Sequence, residues 1–192
     1  PSLVGSLRRL EAEHSVTIEA PPEAVWEILI DLPSYAVRNS YSPSAVGSIR
    51  EGGVVTIEAQ LGEEIRVDDN RVTRFEPECA LCWHAMNLFE HLARGTRRRF
   101  RERVGMNSTL FRLHEIMEGP LAWLIEKIYR PRIEAGLAQM NGDLKRAAEA
   151  LRHDLVTALS SIDSMNPALV QLLHVPVLHW LASPGLATIS LR

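Results

Sequence analysis

One stretch governs what this chain can fold into. Leu121, Leu124, Ile125, Ile128, Ile133, Leu137, Met140, Leu144, Ala147 and Leu151 recur at helical spacing for about eight turns. A helix of that length with an apolar stripe must lay the stripe on another layer. Gly119-Pro120 opens it, and Pro131 inside it predicts a kink near Lys127 and Ile128. Almost everything before it reads as strands between turns. His14 to Ala20 alternates, with Val16 and Ile18 on one face, and Pro21-Pro22 stops it. A helix then runs from Pro22 or Glu23 to Ile30, with Glu23 in the first turn where the helix dipole favours a carboxylate. Asp31-Leu32-Pro33-Ser34 ends it, and a short irregular helix follows up to Tyr41.

Further strands are predicted over residues 45–50, 54–60, 64–75, 79–87, 92–104 and 108–118. Gly52-Gly53 marks a tight turn, and Asp68-Asp69-Asn70 predicts a bulge in the long polar strand. The fold class is therefore α+β. One curved antiparallel sheet of six or seven strands wraps a long C-terminal helix, with a short helical pair after the first strand.

Several local patterns in this order resemble the START-like, Bet v 1-like (SRPBCC) superfamily, in its bacterial polyketide cyclase/dehydrase branch. Val16-Thr17-Ile18-Glu19-Ala20-Pro21-Pro22-Glu23-Ala24-Val25-Trp26 is similar to the family's opening strand, I-x-A-P turn and V-W helix. Asp31 and Tyr35 fall in its post-helix loop. Residues 76–83, Glu-Pro-Glu-Cys-Ala-Leu-Cys-Trp, look like its P-x-x-x-L-x-W turn and strand. Ser108-Thr109 to Glu115 with Gly119, and Leu144-Lys145 with Glu149, resemble its last strand and terminal helix. The family often carries Trp-x-Pro after the Tyr; this chain has Arg38-Asn39-Ser40.

The resemblance implies a helix-grip domain over residues 1–152; residues 153–192 have no counterpart in the family and read from their own pattern as an apolar helical extension. It implies a cavity between sheet and helix that takes a hydrophobic, partly aromatic small molecule, a polyketide or similar natural product, with no cofactor. Its chemistry would be intramolecular aldol cyclisation with dehydration. The alternative is a carrier or a sequestering protein without chemistry, such as a self-resistance protein for an enediyne.

The two strands before the long helix suggest a site. A hairpin at Met106-Asn107 pairs residues whose numbers sum to 213, which sets 98 opposite 115, 100 opposite 113, and 102 opposite 111. Phe100, Val104, Phe111, Leu113 and Met117 then share the inner face, and their coincidence supports the register. Arg98 and Glu115 become cross-strand neighbours inside. They form a structural ion pair, or Arg98 also binds a ligand oxygen. Glu102 becomes an unpartnered inward carboxylate, suited to acid–base work. The candidate catalytic residues are thus Arg98, polarising a carbonyl, and Glu102 or a Tyr hydroxyl, shuttling a proton. The candidate ligand wall is Tyr35, Tyr41, Trp83, Arg98, Phe100, Phe111, Leu113, Glu115, Trp123 and Tyr129. Arg97, Arg99, Arg101 and Arg103 are placed on the solvated convex face.

Other classes fall away. The net charge is −3, and no aromatic residues interleave with the arginine ladder, so nucleic acid is not an expected partner. All but two of the 21 basic residues are arginine, the exceptions being Lys127 and Lys145. His174 and His179 are five apart, and the spacing of His84, His91 and His114 argues for no metal. Glycine-rich phosphate loops, dinucleotide fingerprints and the G-x-S-x-G elbow are missing from the sequence. Cys79 and Cys82 read as packed thiols on a strand that sends them to opposite faces. Residues 3–10 do not read as a signal peptide, and residues 168–182 are too short and polar to span a bilayer. The protein is expected to be cytoplasmic, a monomer or weak homodimer. In the extension, Asn166-Pro167 opens a short helix, and its apolar residues need cover, as a strap, a lid, a dimer contact or a membrane-surface contact.

Overall fold

The computed structural model describes residues 9–61, 64–86 and 91–165. The chain divides into two compact units, Pro1–Ala150 and Leu151–Arg192. In order it forms β1 (Arg9–Ile18), α1 (Pro22–Ile30), a 3-10 turn (Leu32–Ser34), α2 (Tyr35–Arg38), β2 (Ser44–Gly47), β3 (Val54–Leu61), β4 (Glu64–Glu76), β5 (Ala80–Met86), β6 (Arg94–Gly105), β7 (Ser108–Glu118) and α3 (Ala122–Met165). The expected extension falls mostly on residues 166–192, outside the described residues.

The sheet runs β1-β7-β6-β5-β4-β3-β2, every pair antiparallel. β1 and β2 are the two edges, so α1 and α2 carry the chain from one side of the sheet to the other. Pro21 and Pro22 make that exit local: Pro21 is extended, and Pro22 opens α1 where a missing N–H costs nothing. Trp26 packs α1 down, stacked on Phe75 of β4 at 6.0 Å between ring centroids.

α3 lies on the face of the sheet that carries Ala12, Ile18, Val55, Trp83, Phe111 and Leu113. Leu137, Met140, Leu144 and Ala148, one stripe at helical spacing, close the core. The apolar pattern extends further than the burial. Leu121, Trp123, Leu124, Ile128 and Tyr129 remain exposed, and α3 continues through Pro131. Gly136 allows the closest approach: a Cβ there would meet the Tyr41 ring at 2.6 Å. Lys145 and Glu149 pin the helix to the end of β1, where Lys145 Nζ donates to the Thr17 carbonyl at 2.8 Å and Glu149 Oε1 accepts from the Glu19 N–H at 2.8 Å.

The β6–β7 register differs from the expected one. Gly105 pairs with Ser108 and obeys the sum of 213, but Val104 bulges out. Every pair from Arg103↔Thr109 to Arg94↔Glu118 is one residue off that sum. A bulge adds a residue to one strand only, so it turns all side chains beyond it to the other face. Arg97, Arg99, Arg101 and Arg103 therefore point to the concave side, opposite Glu115, Leu113, Phe111 and Thr109. The bulge expected at Asp68-Asp69-Asn70 is also displaced: those residues pair regularly with β3, and the irregularity lies between Val72 and Arg74.

Candidate functional site

Concave β6 presents four guanidinium groups in a row, and each is handled differently. Arg97 pairs with Glu115 at 2.5 Å, and both are largely buried. Burial alone would lower the Arg97 pKa, but the charge of Glu115, with further support from Tyr41, holds it above the usual arginine value. Arg101 lies over the Trp26 ring and reaches Glu78 at 3.4 Å. Arg103 binds both oxygens of Glu23, at 2.7 and 2.9 Å, near the exposed end of the row.

Arg99 is the exception. It is 5 % exposed, and its guanidinium carbon sits 3.6 Å from the centroid of the Trp83 ring. Among the described residues it makes no ion pair, and its Nη1 is buried without a hydrogen-bond partner. Burial, with the nearby charge of Arg97 adding to it, lowers its pKa to about 9 against the partial support of Tyr35 and Glu115.

Arg97 and Arg99 border a cavity of about 30 Å³ between the sheet and α3, with Tyr35, Phe111, Leu113 and Asn141 among its other walls. Asn141, fully buried on α3, uses Nδ2 to donate to the His14 carbonyl at 2.9 Å and to meet His14 Nδ1 at 2.9 Å. The bond to the carbonyl fixes which way the amide faces, and among the described residues its Oδ1 is buried without a partner. Tyr35 donates its hydroxyl to the Leu29 carbonyl at 2.9 Å. The cavity is part polar, with Arg97, Arg99, Asn141 and Asp143 among its walls.

One side of the cavity is a thin wall. Arg38, Asn39 and Asp143 line both the cavity and an outer groove of about 490 Å³. Asp143 is buried and accepts from the Ser40 N–H and hydroxyl, each at 2.7 Å, and from Arg146. Arg38 lies 4.7 Å over the Tyr35 ring and donates to the carbonyls of Ile28 and Asp31, and burial lowers its pKa. Arg38 and Asn39, with Asp143, thus stand between groove and cavity, and Ser40 lines the groove side.

Of the expected site residues, Tyr35, Phe111 and Leu113 line the cavity, Trp83 lies beneath Arg99, and Glu115 is buried. Tyr41 packs against α3 at Gly136. Five placements are corrected. Arg98 is exposed and stands opposite His114, on the convex face. Glu102 is exposed and pairs loosely with Arg112 at 3.4 Å, so it is neither inward nor unpartnered. Phe100 stands opposite Arg112 on that same convex face. Trp123 and Tyr129 are 42 % and 44 % exposed, on turns of α3 before its core stripe begins. The bulge explains the first three. Arg97 and Arg99 were visible as an alternating row, and only the unforeseen bulge put them on the wrong face. Asn141 was findable too, since it falls on the Leu137–Leu144 stripe of α3, where a polar residue is costly unless it serves something.

Cys79 is exposed in the turn before β5, and Cys82 is buried; both are free thiols. Among the described residues no cluster of His, Cys, Asp or Glu could hold a metal ion, and no helix is long and apolar enough to cross a membrane.

The sheet order, the helix lying on its concave face and the short helical pair define the helix-grip fold of the Bet v 1-like kind. No family model and no curated protein matches the sequence. Solved structures match the fold. The Zhui aromatase/cyclase from Streptomyces sp. R1128 is 18 % identical with a TM-score of 0.57, over 72 % of this chain and 95 % of that one. A norcoclaurine synthase point mutant of Thalictrum flavum, in complex with a transition-state analogue, is 12 % identical with a TM-score of 0.61, over 78 % of this chain and 98 % of that one. The di-domain ARO/CYC BexL from the BE-7585A biosynthetic pathway is 14 % identical with a TM-score of 0.61, over 73 % of this chain and 50 % of that one. The fold is shared at these identities, and the chain spans half the length of BexL.

Proposed function

We propose that the protein binds a flat, oxygenated small molecule of the polyketide kind between the sheet and α3, and promotes its ring closure with loss of water. The observation that carries the reading is Arg99. A buried guanidinium without a carboxylate is costly to keep, and its unpartnered Nη1 is a standing donor for a ligand oxygen. The ligand would enter from the groove by displacing the Arg38–Asn39–Asp143 partition. Groove and cavity joined have the volume of an ordinary small-molecule pocket, about 300–1,000 Å³. In an aldol closure the enol carbon of the substrate forms the carbon–carbon bond as the attacked carbonyl's π bond breaks; that oxygen gains negative charge and takes up the enol proton, and later leaves as water with a second proton from the ring carbon. A fixed cationic donor in a dry site stabilises that charge. The aromatase/cyclases among the fold neighbours support this chemistry.

A carrier or sequestering protein is the second reading, and a specific observation favours it. Asp143, the carboxylate lining the cavity, is engaged by Ser40 and Arg146, and Glu115 behind Arg97 is engaged by it, so neither is a free base for the α-proton. One experiment tests both readings: titrate aromatic and poly-β-ketone compounds against Trp fluorescence, then analyse each mixture for products. Binding with turnover that falls about 100-fold or more in Arg99→Met supports the cyclase. Binding with unchanged ligand supports the carrier. Failure of every compound to bind overturns both.

A further inference from the structure

Resting on that reading, we infer that the deep end of the pocket selects a phenolic or enolic hydroxyl, recognised by Arg99 and Asn141 together. Both residues border the same small cavity, and among the described residues each keeps one buried polar atom without a partner. The two atoms are of opposite kind. Arg99 Nη1 only donates, and Asn141 Oδ1 only accepts, its amide being held the right way round by the His14 carbonyl. The neighbouring polar groups do not change this balance. Arg97 and Glu115 satisfy each other, Tyr35 gives its proton to Leu29, and Asp143 is held by Ser40 and Arg146.

A group that satisfies both atoms must accept from a cation and donate to an amide oxygen. A carboxylate answers Arg99 but turns lone pairs toward Asn141 Oδ1. A ketone or methyl ether has no proton to give. An arylamine, neutral near pH 7, donates to Asn141, but its ring-delocalised lone pair is a poor acceptor for Arg99. A hydroxyl on an aromatic or enolic carbon does both, and the adjacent cation strengthens it as a donor. A volume of about 30 Å³ admits one such group, while the ring that bears it extends toward the groove.

The test compares four probes of one shape on the whole protein by Trp fluorescence and calorimetry: 2-naphthol, 2-methoxynaphthalene, 2-naphthoate and 2-naphthylamine. The expected result is 2-naphthol binding at least about 10-fold tighter than each of the others, because each leaves a buried polar atom unanswered. In Asn141→Leu the advantage of 2-naphthol over its methyl ether should vanish, because only the proton given to Oδ1 separates the two, whereas in Arg99→Met both should weaken together. The wild-type comparison needs no variant, so a misfolded substitution would not spoil it. Preference for 2-naphthoate would make this an anion site and overturn the inference. Equal binding of naphthol and ether overturns the hydroxyl subsite and leaves the pocket standing. No binding by any of the four overturns the pocket reading and the subsite with it.

Discussion

Arg99 costs the fold something, and the cost has a pH signature. A cation whose pKa is lowered to about 9 in the folded chain, against 12.5 for an ordinary arginine, carries its full penalty at every pH below about 9. As the pH rises through that range the folded state holds the proton less tightly than the unfolded chain does. The unfolded state then binds more protons, so this contribution to stability rises with pH. Burial is the main cause of the lowering; Arg97 adds to it, and Tyr35, Glu115 and Cys82 oppose it. Arg99→Met should therefore be neutral or stabilising by up to about 4 kcal/mol near neutral pH, the lost stacking on Trp83 offsetting part of the gain. The denaturation midpoints of wild type and variant should converge as the pH is raised from 8 to 10.5. A constant gap would mean that Arg99 keeps its proton throughout. Glu115 behaves in the opposite sense. Glu115→Gln leaves Arg97 beside Arg99 with no counter-charge and should cost about 3–5 kcal/mol. Adding Arg97→Met should recover much of that loss, as read in the same denaturation experiment.

At the scale of elements, the helix-grip layout was legible because it rests on period and punctuation. Pro21-Pro22, Gly52-Gly53, Glu76-Pro77-Glu78 and Gly119 sit at turns or element ends, and the strands fall within a few residues of where alternation placed them. The faces of β6 were not legible. Arg97 to Arg103 alternates with Arg98, Phe100, Glu102 and Val104, so neither side is cleanly apolar, and one extra residue at Val104 decides the matter. Apolarity was a poor guide here because the inner face is held by ion pairs and ring stacking. The site shifts with the register: alternation alone puts Arg98 and Glu102 on a face they do not occupy. The α2–α3 contact had no sequence signal, since Ser40 and Asp143 lie far apart in the chain and meet only in the fold. That contact makes its own prediction. Ser40→Ala removes the hydroxyl that donates to Asp143 and accepts from Gln139 at 2.8 Å, and should cost about 1 kcal/mol. If the partition between groove and cavity moves to admit ligand, the same variant should bind faster, with the gain in the association rate and little change in dissociation. Stopped-flow mixing with a bound probe separates the two; a slower or unchanged association rate would place the entry elsewhere.

For the whole first unit, the concave site and the stability of the fold are one quantity. α3 closes the core with Leu137, Met140, Leu144 and Ala148 and also supplies Asn141 and Asp143 to the cavity, so a ligand there binds the folded chain and not the unfolded one. Mass action then stabilises the protein by about 2.7 kcal/mol when the ligand is at 100 times its Kd. For a domain of this size that is about 5–10 °C in Tm. Arg99→Met should start above the wild type in Tm, because the uncompensated charge is gone. It should respond weakly to a hydroxyl-bearing ligand, because the donor has gone with it. Raising the ligand concentration should therefore bring the wild-type Tm up to that of the variant and past it. That crossing is the expected mark of a charge kept for binding at the expense of stability. Two melting curves that rise in parallel with 2-naphthol would instead make Arg99 a packing residue, with the ligand seated away from it.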